Sequence, residues 1–329
     1  MSLVAQSVVG GVVMSPADIA ALDAASDVAA EDLRPETTKT AYRGDWAKWV
    51  EFTAATGIPE SAASRGTLRA FVHWLWEAGA APSTMDRRLA GVVVTLRRSG
   101  VLVLRDDVAD AREYMKGLTR QAAEQRQAPR GRGQAAPLLL ADLRKACEAC
   151  PDTLTGLRDR ALLLVAFSIA GRRSEVAGLT VRDVVEVPEG LVIAVHVSKT
   201  GVREVAVSYG VNLATCPVRT WKAWREAAGL DADSPAFRRI DRHGNVLGAL
   251  SGAACGEIIT RAAERAGIAG MTGHSPRAGL ATSARQAGKS REAISAATGH
   301  APGSRVLDLY LRSVDRWSDG ENATMGIGL

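Results

Sequence analysis

Disulfide chemistry has little material in this 329-residue chain, which holds four cysteines, Cys147, Cys150, Cys216 and Cys255, in no spacing framework. A chain of this length without a paired set fits a reducing compartment, and a cytoplasmic location is expected. Cys147 and Cys150 form a C-x-x-C, but they fall in a helical pattern with no second pair nearby. Two buried small apolar residues are therefore expected, with a zinc or redox site the weaker reading. There is no run of about 18 apolar residues to span a bilayer. The opening MSLVAQSVVGGVVM lacks the positive flank of a signal peptide and is broken by Gln6 and two glycines. No membrane partner follows from such a sequence. Lysine is scarce, seven against 34 arginines, so an individually placed lysine stands out. Residues 1–33 carry no base and five acids, Asp18, Asp23, Asp27, Glu31 and Asp32. The formal charge of +5 thus becomes about +10 over the remainder, a footprint that favours a polyanion.

With 47% apolar residues the chain is globular and long enough for two domains. Residues 1–34 read as an arm, flexible or packed on a neighbour: an apolar strip, then Ser15-Pro16 with Asp18 as a helix start. From 35 to 126 the pattern is helical throughout, with helices expected at 38–56, 67–78, 83–99 and about 107–125. Tyr42, Trp46, Trp49, Val50 and Phe52 recur at helical spacing, which predicts a small all-helical bundle. Its basic residues Lys39, Arg43, Lys48, Arg87, Arg88, Arg97 and Arg98 make either a solvated face or a set of phosphate contacts. Residues 127–137, with two prolines, two glycines, Arg130 and Arg132, read as an exposed basic linker. A larger, mostly α domain follows over 138–329, with helices expected at 139–149, 157–170, 216–228 and 251–266. Two strands are expected at 191–198 and 203–210, a turn at 180–190 and a hairpin-like connection at 237–248.

The chemistry gathers in the second half. His274 and Arg277 stand in H-S-P-R, where Ser275 or His274 caps a helix whose first turn holds Pro276. Capping explains the serine and the proline but not the histidine–arginine pair, which lies near a helix N-terminus where an anion is favoured. His300 follows Thr298-Gly299, and Tyr310 stands ten residues beyond it, with Val306, Leu307 and Val314 on one side of the last helix. Upstream, Arg172 in A-G-R-R-S-E emerges directly from an apolar helix, with Glu175 placed to fix the turn. Lys199 sits at the apparent tip of a β-hairpin, where it could reach a leaving oxygen as a general acid. Each has a plain alternative: a solvated helix start for Arg172, an ordinary exposed turn for Lys199, a core position for Tyr310. Together they offer what phosphoryl transfer asks for, namely stabilisation of the non-bridging oxygens, a nucleophile and a proton for the leaving oxygen.

The order Arg172, Lys199, His274 with Arg277, His300 and Tyr310 resembles the tyrosine recombinase, or phage integrase, family, over nearly all of the chain from about residue 37. Within the family the stretch GHSPRAGLATSARQAG and the spacing of SRVLDLYLRSVD look most like the Cre-type members. The interval from His300 to Tyr310 is one residue longer than the family's usual one, and APGSR is the expected place for the extra residue. The resemblance implies a site-specific recombinase that cleaves and rejoins DNA through a 3′-phosphotyrosine without metal, ATP or other cofactor. In it Arg172, Arg277 and His300 neutralise the scissile phosphate, Tyr310 attacks, Lys199 protonates the leaving 5′-hydroxyl, and His274 positions or deprotonates the nucleophile. Glu175 supports Arg172. It further implies a helical core-binding domain and a catalytic domain clamped on double-stranded DNA with inverted-repeat half-sites. A homodimer would sit on each site and a homotetramer in the synapse, with the tail at about 318–329 exchanged between subunits. A type IB topoisomerase-like strand-passing enzyme and a non-catalytic DNA-binding regulator on the same fold are the competing readings. The small helical first domain speaks against the former, and the presence of all six groups against the latter.

Overall fold

Helix-forming and turn-forming segments alternate as the chain leaves its acidic arm. The computed structural model describes residues 15–131, 133–197, 201–301 and 303–316. The chain divides into two units, one ending at Gly133 and the other beginning at Gln134.

In the first unit, α1 (Pro16–Asp32) starts as its sequence predicts: the Ser15 N–H donates to Asp18 Oδ2 at 2.9 Å and the Asp18 N–H donates back to Ser15 Oγ at 3.2 Å. This helix leaves Ile19, Leu22 and Val28 exposed. Next come α2 (Glu36–Thr56), α3 (Arg65–Glu77), α4 (Pro82–Arg98) and α5 (Arg105–Glu124), each starting or ending within a few residues of its expected limits. Gly57 and the Ser64 hydroxyl, which accepts from the Thr67 N–H, set two of the boundaries. Their apolar faces close on Trp49, Phe52, Phe71 and Leu89, with Trp49 edge-on to Phe71 at 5.1 Å. Each such large side chain contributes on the order of 2–3 kcal/mol by leaving water.

The second unit is built round α7 (Leu154–Ser168), whose ALLLVAF run is buried on all sides. It is preceded by α6 (Leu140–Glu148) and followed by the short α8 (Arg173–Gly178). Then comes an antiparallel sheet of β1 (Val184–Val187), β2 (Gly190–Val197) and β3 (Gly201–Ser208), in that order. The sequence reading made residues 180–190 a turn. The structure makes 184–187 a third strand, because Val184 and Val185 pair with Ile193 and Val192, and four residues are too few for alternation to show. Beyond the sheet lie α9 (Pro217–Ala227), the β4 (Arg238–Ile240) and β5 (Val246–Ala249) hairpin, and α10 (Gly252–Arg265). Three helices end the described chain: α11 (Ser275–Gln286), α12 (Arg291–Thr298) and α13 (Arg305–Asp315). Cys147 and Cys150 are buried in the core and free, as expected, with burial first among the causes that push their thiols up to about 12 and about 11. Among the described residues no helix is long and apolar enough to cross a membrane.

Helix α11 is held at its start by the Leu138 N–H, which donates to the Ser275 carbonyl at 3.0 Å. It comes so close that a Cβ on Gly279 would lie 2.0 Å from the Leu138 carbonyl oxygen. Only glycine fits there, and the contact fixes where His274 and Arg277 stand.

Candidate active site

The site begins where α7 stops. Ile169 caps the helix, the Ala170 N–H bonds the Phe167 carbonyl at 3.0 Å and the Gly171 N–H bonds the Ala166 carbonyl at 2.9 Å. That is a Schellman closure with alanine, at φ 47°, in the position usually given to glycine. The left-handed backbone costs an alanine about 1 kcal/mol. It turns the chain out of the core at Arg172 and leaves the Ala170 carbonyl as an acceptor for Arg277, 2.9 Å away.

Arg172 forms the N-cap of α8. Its own N–H donates to Glu175 Oε2 at 2.9 Å, and its guanidinium meets Glu175 Oε1 in a close ion pair. Glu175 is buried while the Arg172 side chain stays partly open to solvent. The carboxylate thus holds both the backbone and the guanidinium of Arg172.

Arg277 lies in the first turn of α11 and is 4% exposed. One terminal nitrogen serves Ala170; the other, Nη2, is buried without a hydrogen-bond partner. Burial pushes this guanidinium down to about 10, Arg172 and Arg203 push the same way, and Glu175 and Tyr310 oppose them. Cations crowded this way favour an anion between them. His274, at the N-cap of the same helix, is exposed. Its ring is shifted below its ordinary value by partial desolvation and by Arg173, Arg277 and Arg172.

His300 follows Gly299, which ends α12 in the left-handed conformation at φ 64°. The His300 N–H donates to the Ser295 carbonyl at 3.2 Å, and the Ser295 hydroxyl donates to the His300 carbonyl at 2.8 Å. Its Nδ1 lies 2.7 Å from the Thr298 hydroxyl, which itself donates to the Ile294 carbonyl at 2.7 Å. The hydroxyl's one proton being used, it accepts from Nδ1–H, and the neutral ring carries its lone pair on Nε2. Burial, followed by Arg277, Arg172 and Arg203, pushes His300 down to about 4.

Tyr310 lies within α13, half-buried against the cluster of Ala281, Ile294, Leu307 and Leu311. Its ring centroid is 6.4 Å from that of His300. Before α13 the Ser304 N–H donates to the Ala301 carbonyl at 3.1 Å, and the Ser304 hydroxyl caps the helix by accepting from the Leu307 N–H. Arg172, Glu175, Arg277, His300 and Tyr310 are therefore brought together, with His274 at the rim. Lys199 lies in the link between Val197 and Gly201, outside the described residues, as do Arg132 and the tail at 318–329.

Two residues of this site were not singled out from the sequence. Arg203 on β3 reaches Glu175 and the end of α12, and period-two spacing puts it on the same face as the buried Val205 and Val207. An arginine on an apolar strand face is the signal that would have found it. Thr298, wholly buried, had no such signal beyond standing before Gly299-His300.

The basic residues of the first unit fall into two groups. Arg87 pairs with the buried Asp45 at 2.5 Å, Arg97 donates to the Val103 carbonyl at 2.9 Å, and Arg130 stacks on the Trp76 ring at 3.7 Å. Lys39, Arg43 and Arg98 line a shallow hollow with Glu36 and Tyr42, in which Lys39 pairs with Glu36 at 3.0 Å and Arg43 donates to the Thr40 hydroxyl at 3.1 Å. Lys48 pairs with Glu51 at 2.6 Å, and Arg88 is half-buried beside Asp45.

Residues 138–316 match the sequence model of the phage integrase family. An integrase/recombinase XerD homolog from Selenomonas ruminantium is 27% identical over 270 residues, 78% of this chain and 76% of that protein. The fold matches that of the XerH site-specific recombinase bound to a palindromic difH substrate in a post-cleavage complex. The TM-score is 0.60 at 17% identity, over 84% of this chain and 77% of that one. It also matches that of a lambda integrase tetramer bound to a Holliday junction, with a TM-score of 0.55 at 15% identity, over 88% and 75%. With more than half its length matched and the arginine–histidine–tyrosine set assembled, the chain belongs to the phage integrase family of tyrosine recombinases and is a site-specific DNA recombinase.

Proposed function

We propose that the cluster of Arg172, Arg277, His300 and Tyr310 cleaves and rejoins DNA by phosphoryl transfer through tyrosine. The two guanidinium groups neutralise the non-bridging oxygens of the scissile phosphate, and His300 donates a third contact through Nε2 once protonated beside the anion. The Tyr310 oxygen attacks phosphorus and a 3′-phosphotyrosine bond forms as the bond to the 5′-oxygen breaks. Lys199 delivers the proton that this oxygen takes up. His274 accepts or orients the proton that the tyrosine hydroxyl must lose as its oxygen bonds phosphorus. The partner strand's 5′-hydroxyl then reverses the step, so bond energy is conserved and neither metal nor ATP is called for. The reading rests above all on a buried Arg277 whose second terminal nitrogen has no protein partner in a site where cations outnumber carboxylates.

The helical bundle of residues 35–126, the linker at 127–137 and the catalytic domain would grip double-stranded DNA from two sides. Lys39, Arg43, Arg98 and Arg88 are the candidate phosphate contacts, with Lys48 and Arg132 beside them. Arg87, Arg97 and Arg130 hold Asp45, the Val103 carbonyl and the Trp76 ring, and Lys39 and Arg43 hold Glu36 and Thr40, so each exchanges an internal contact for a phosphate. Inverted-repeat half-sites would each hold one subunit of a dimer, two dimers making the synaptic tetramer, with the residues after Asp319 packed into a neighbouring subunit. The XerH complex on palindromic DNA and the lambda integrase tetramer support that assembly by analogy. Four unpaired cysteines fit work in the cytoplasm.

The decisive test is covalent trapping. The protein is incubated with nicked duplex fragments of the genome that encodes it, and protein–DNA adducts are recovered under denaturing conditions. Wild type should give an adduct at one recurring sequence and Tyr310→Phe none; an adduct that survives the substitution overturns the nucleophile.

A further inference from the structure

Among the described residues of the site, Arg203 is a cation that three structural elements share. It rises from β3, three residues beyond the link that carries Lys199. Its side chain is 12% exposed. One terminal nitrogen donates to the Ala297 carbonyl in the last turn of α12, three residues before His300. The other, Nη2, lies 3.7 Å from Glu175 Oε2, the oxygen that also accepts the Arg172 N–H. That separation is an ion pair but not a hydrogen bond, and Nε and Nη2 have no hydrogen-bond partner. Gly299 completes the fit. A Cβ there would stand 3.1 Å from both Cδ and Nε of Arg203, on a residue already at φ 64°.

A buried guanidinium with two unsatisfied nitrogens costs stability that packing alone would not retain. A methionine would fill much the same space without a charge. What the arginine adds is geometry: one rigid planar group spans Glu175 and Ala297 at once, which a lysine cannot do. We propose that Arg203 is the positioning residue of this active site, fixing the hairpin strand, the carboxylate that orients Arg172 and the helix end that presents His300 as one unit. It does not touch the DNA; it acts through Arg172 and His300. The inference rests on the catalytic roles given above.

The test uses the duplex recovered by covalent trapping, presented as a half-site. Arg203→Met should leave half-site affinity within about twofold and slow covalent complex formation by about 100-fold, the scale of an ångström-sized misplacement. Gly299→Ala, which presses on the same side chain, should slow it as well. In the double variant the two effects should overlap rather than multiply. Arg203→Lys keeps the charge and should recover little of the rate. A wild-type rate in Arg203→Met, a parallel loss of binding and cleavage, or fully multiplicative effects overturns the proposal. If Arg203→Met does not fold, Arg203→Lys decides: slow cleavage with intact binding supports positioning, and a wild-type rate refutes it. An adduct persisting in Tyr310→Phe would instead bring down the assignment of the site itself.

Discussion

The Arg277 guanidinium donates to the carbonyl of Ala170, 107 residues earlier in the chain, at 2.9 Å. The acceptor is aimed by a residue in left-handed conformation, and the donor is buried among other cations. Both partners are thus held in states the fold would not choose for stability alone.

Arg277→Gln should therefore separate activity from stability. Covalent complex formation is expected to fall by about 10²–10³, as for loss of one preorganised donor. Relief of repulsion from Arg172 and Arg203 offsets the lost hydrogen bond, itself worth about 1 kcal/mol. Thermal unfolding should shift by a few degrees at most, and calorimetry beside the cleavage assay reads both. A Tm drop of more than about 10 °C would make Arg277 a structural residue.

Thr298→Val removes the acceptor that fixes the His300 tautomer while keeping the shape. Cleavage should slow by about tenfold or more, as when an orienting partner of a functional histidine is lost. Thr298→Ser should restore it. Equal rates in the valine and serine variants would mean that the ring needs no such support.

The pH dependence has a definite sign. His300 is held at about 4 against an ordinary 6.5, so between those values the unfolded chain binds the proton that the folded one refuses. Stability present above about pH 6.5 is lost as the pH falls towards 4, and His274 is shifted in the same direction. A bound phosphate opposes the arginines and raises His300 again. Formation of the DNA complex near pH 5.5 should take up protons, which calorimetry in buffers of different ionisation heat detects. His300→Gln should reduce that uptake, and an unchanged value would remove the phosphate from His300.

The arginines of the helical bundle make a separate comparison. Arg43→Ala should weaken DNA binding similarly across sequences and lower the salt slope by about one. Arg97→Ala gives up its bond to Val103, so it should lower the thermal stability of the bundle and leave that slope unchanged. The opposite pattern would exchange the two roles.

Sequence periodicity carried most of the architecture. Tyr42, Trp46, Trp49, Val50 and Phe52 recur at helical spacing, and of these Trp49 and Phe52 are core residues, while the histidine–arginine pair in H-S-P-R could be assigned to a helix start before any coordinates. What escaped was non-local. Strand β1 exists because of its partner β2, the Ala170 turn carries alanine where glycine is the usual marker, and Arg203 earns its place only through Glu175 and Ala297. Arg87, Arg97 and Arg130 looked like the other surface cations because the groups they bind lie on other helices or across a turn. Arg172, His274, Arg277 and His300 stand at locally marked helix starts and ends, whereas Tyr310 lies mid-helix and was marked only by its place in the order of the other groups.

The Ser304 N–H closes on the Ala301 carbonyl and its hydroxyl caps α13, the helix that brings Tyr310 to His300. Histidine and tyrosine thus meet across a turn and a helix cap rather than along one helix, so loosening the Ser304 cap would move the phenol away from the imidazole.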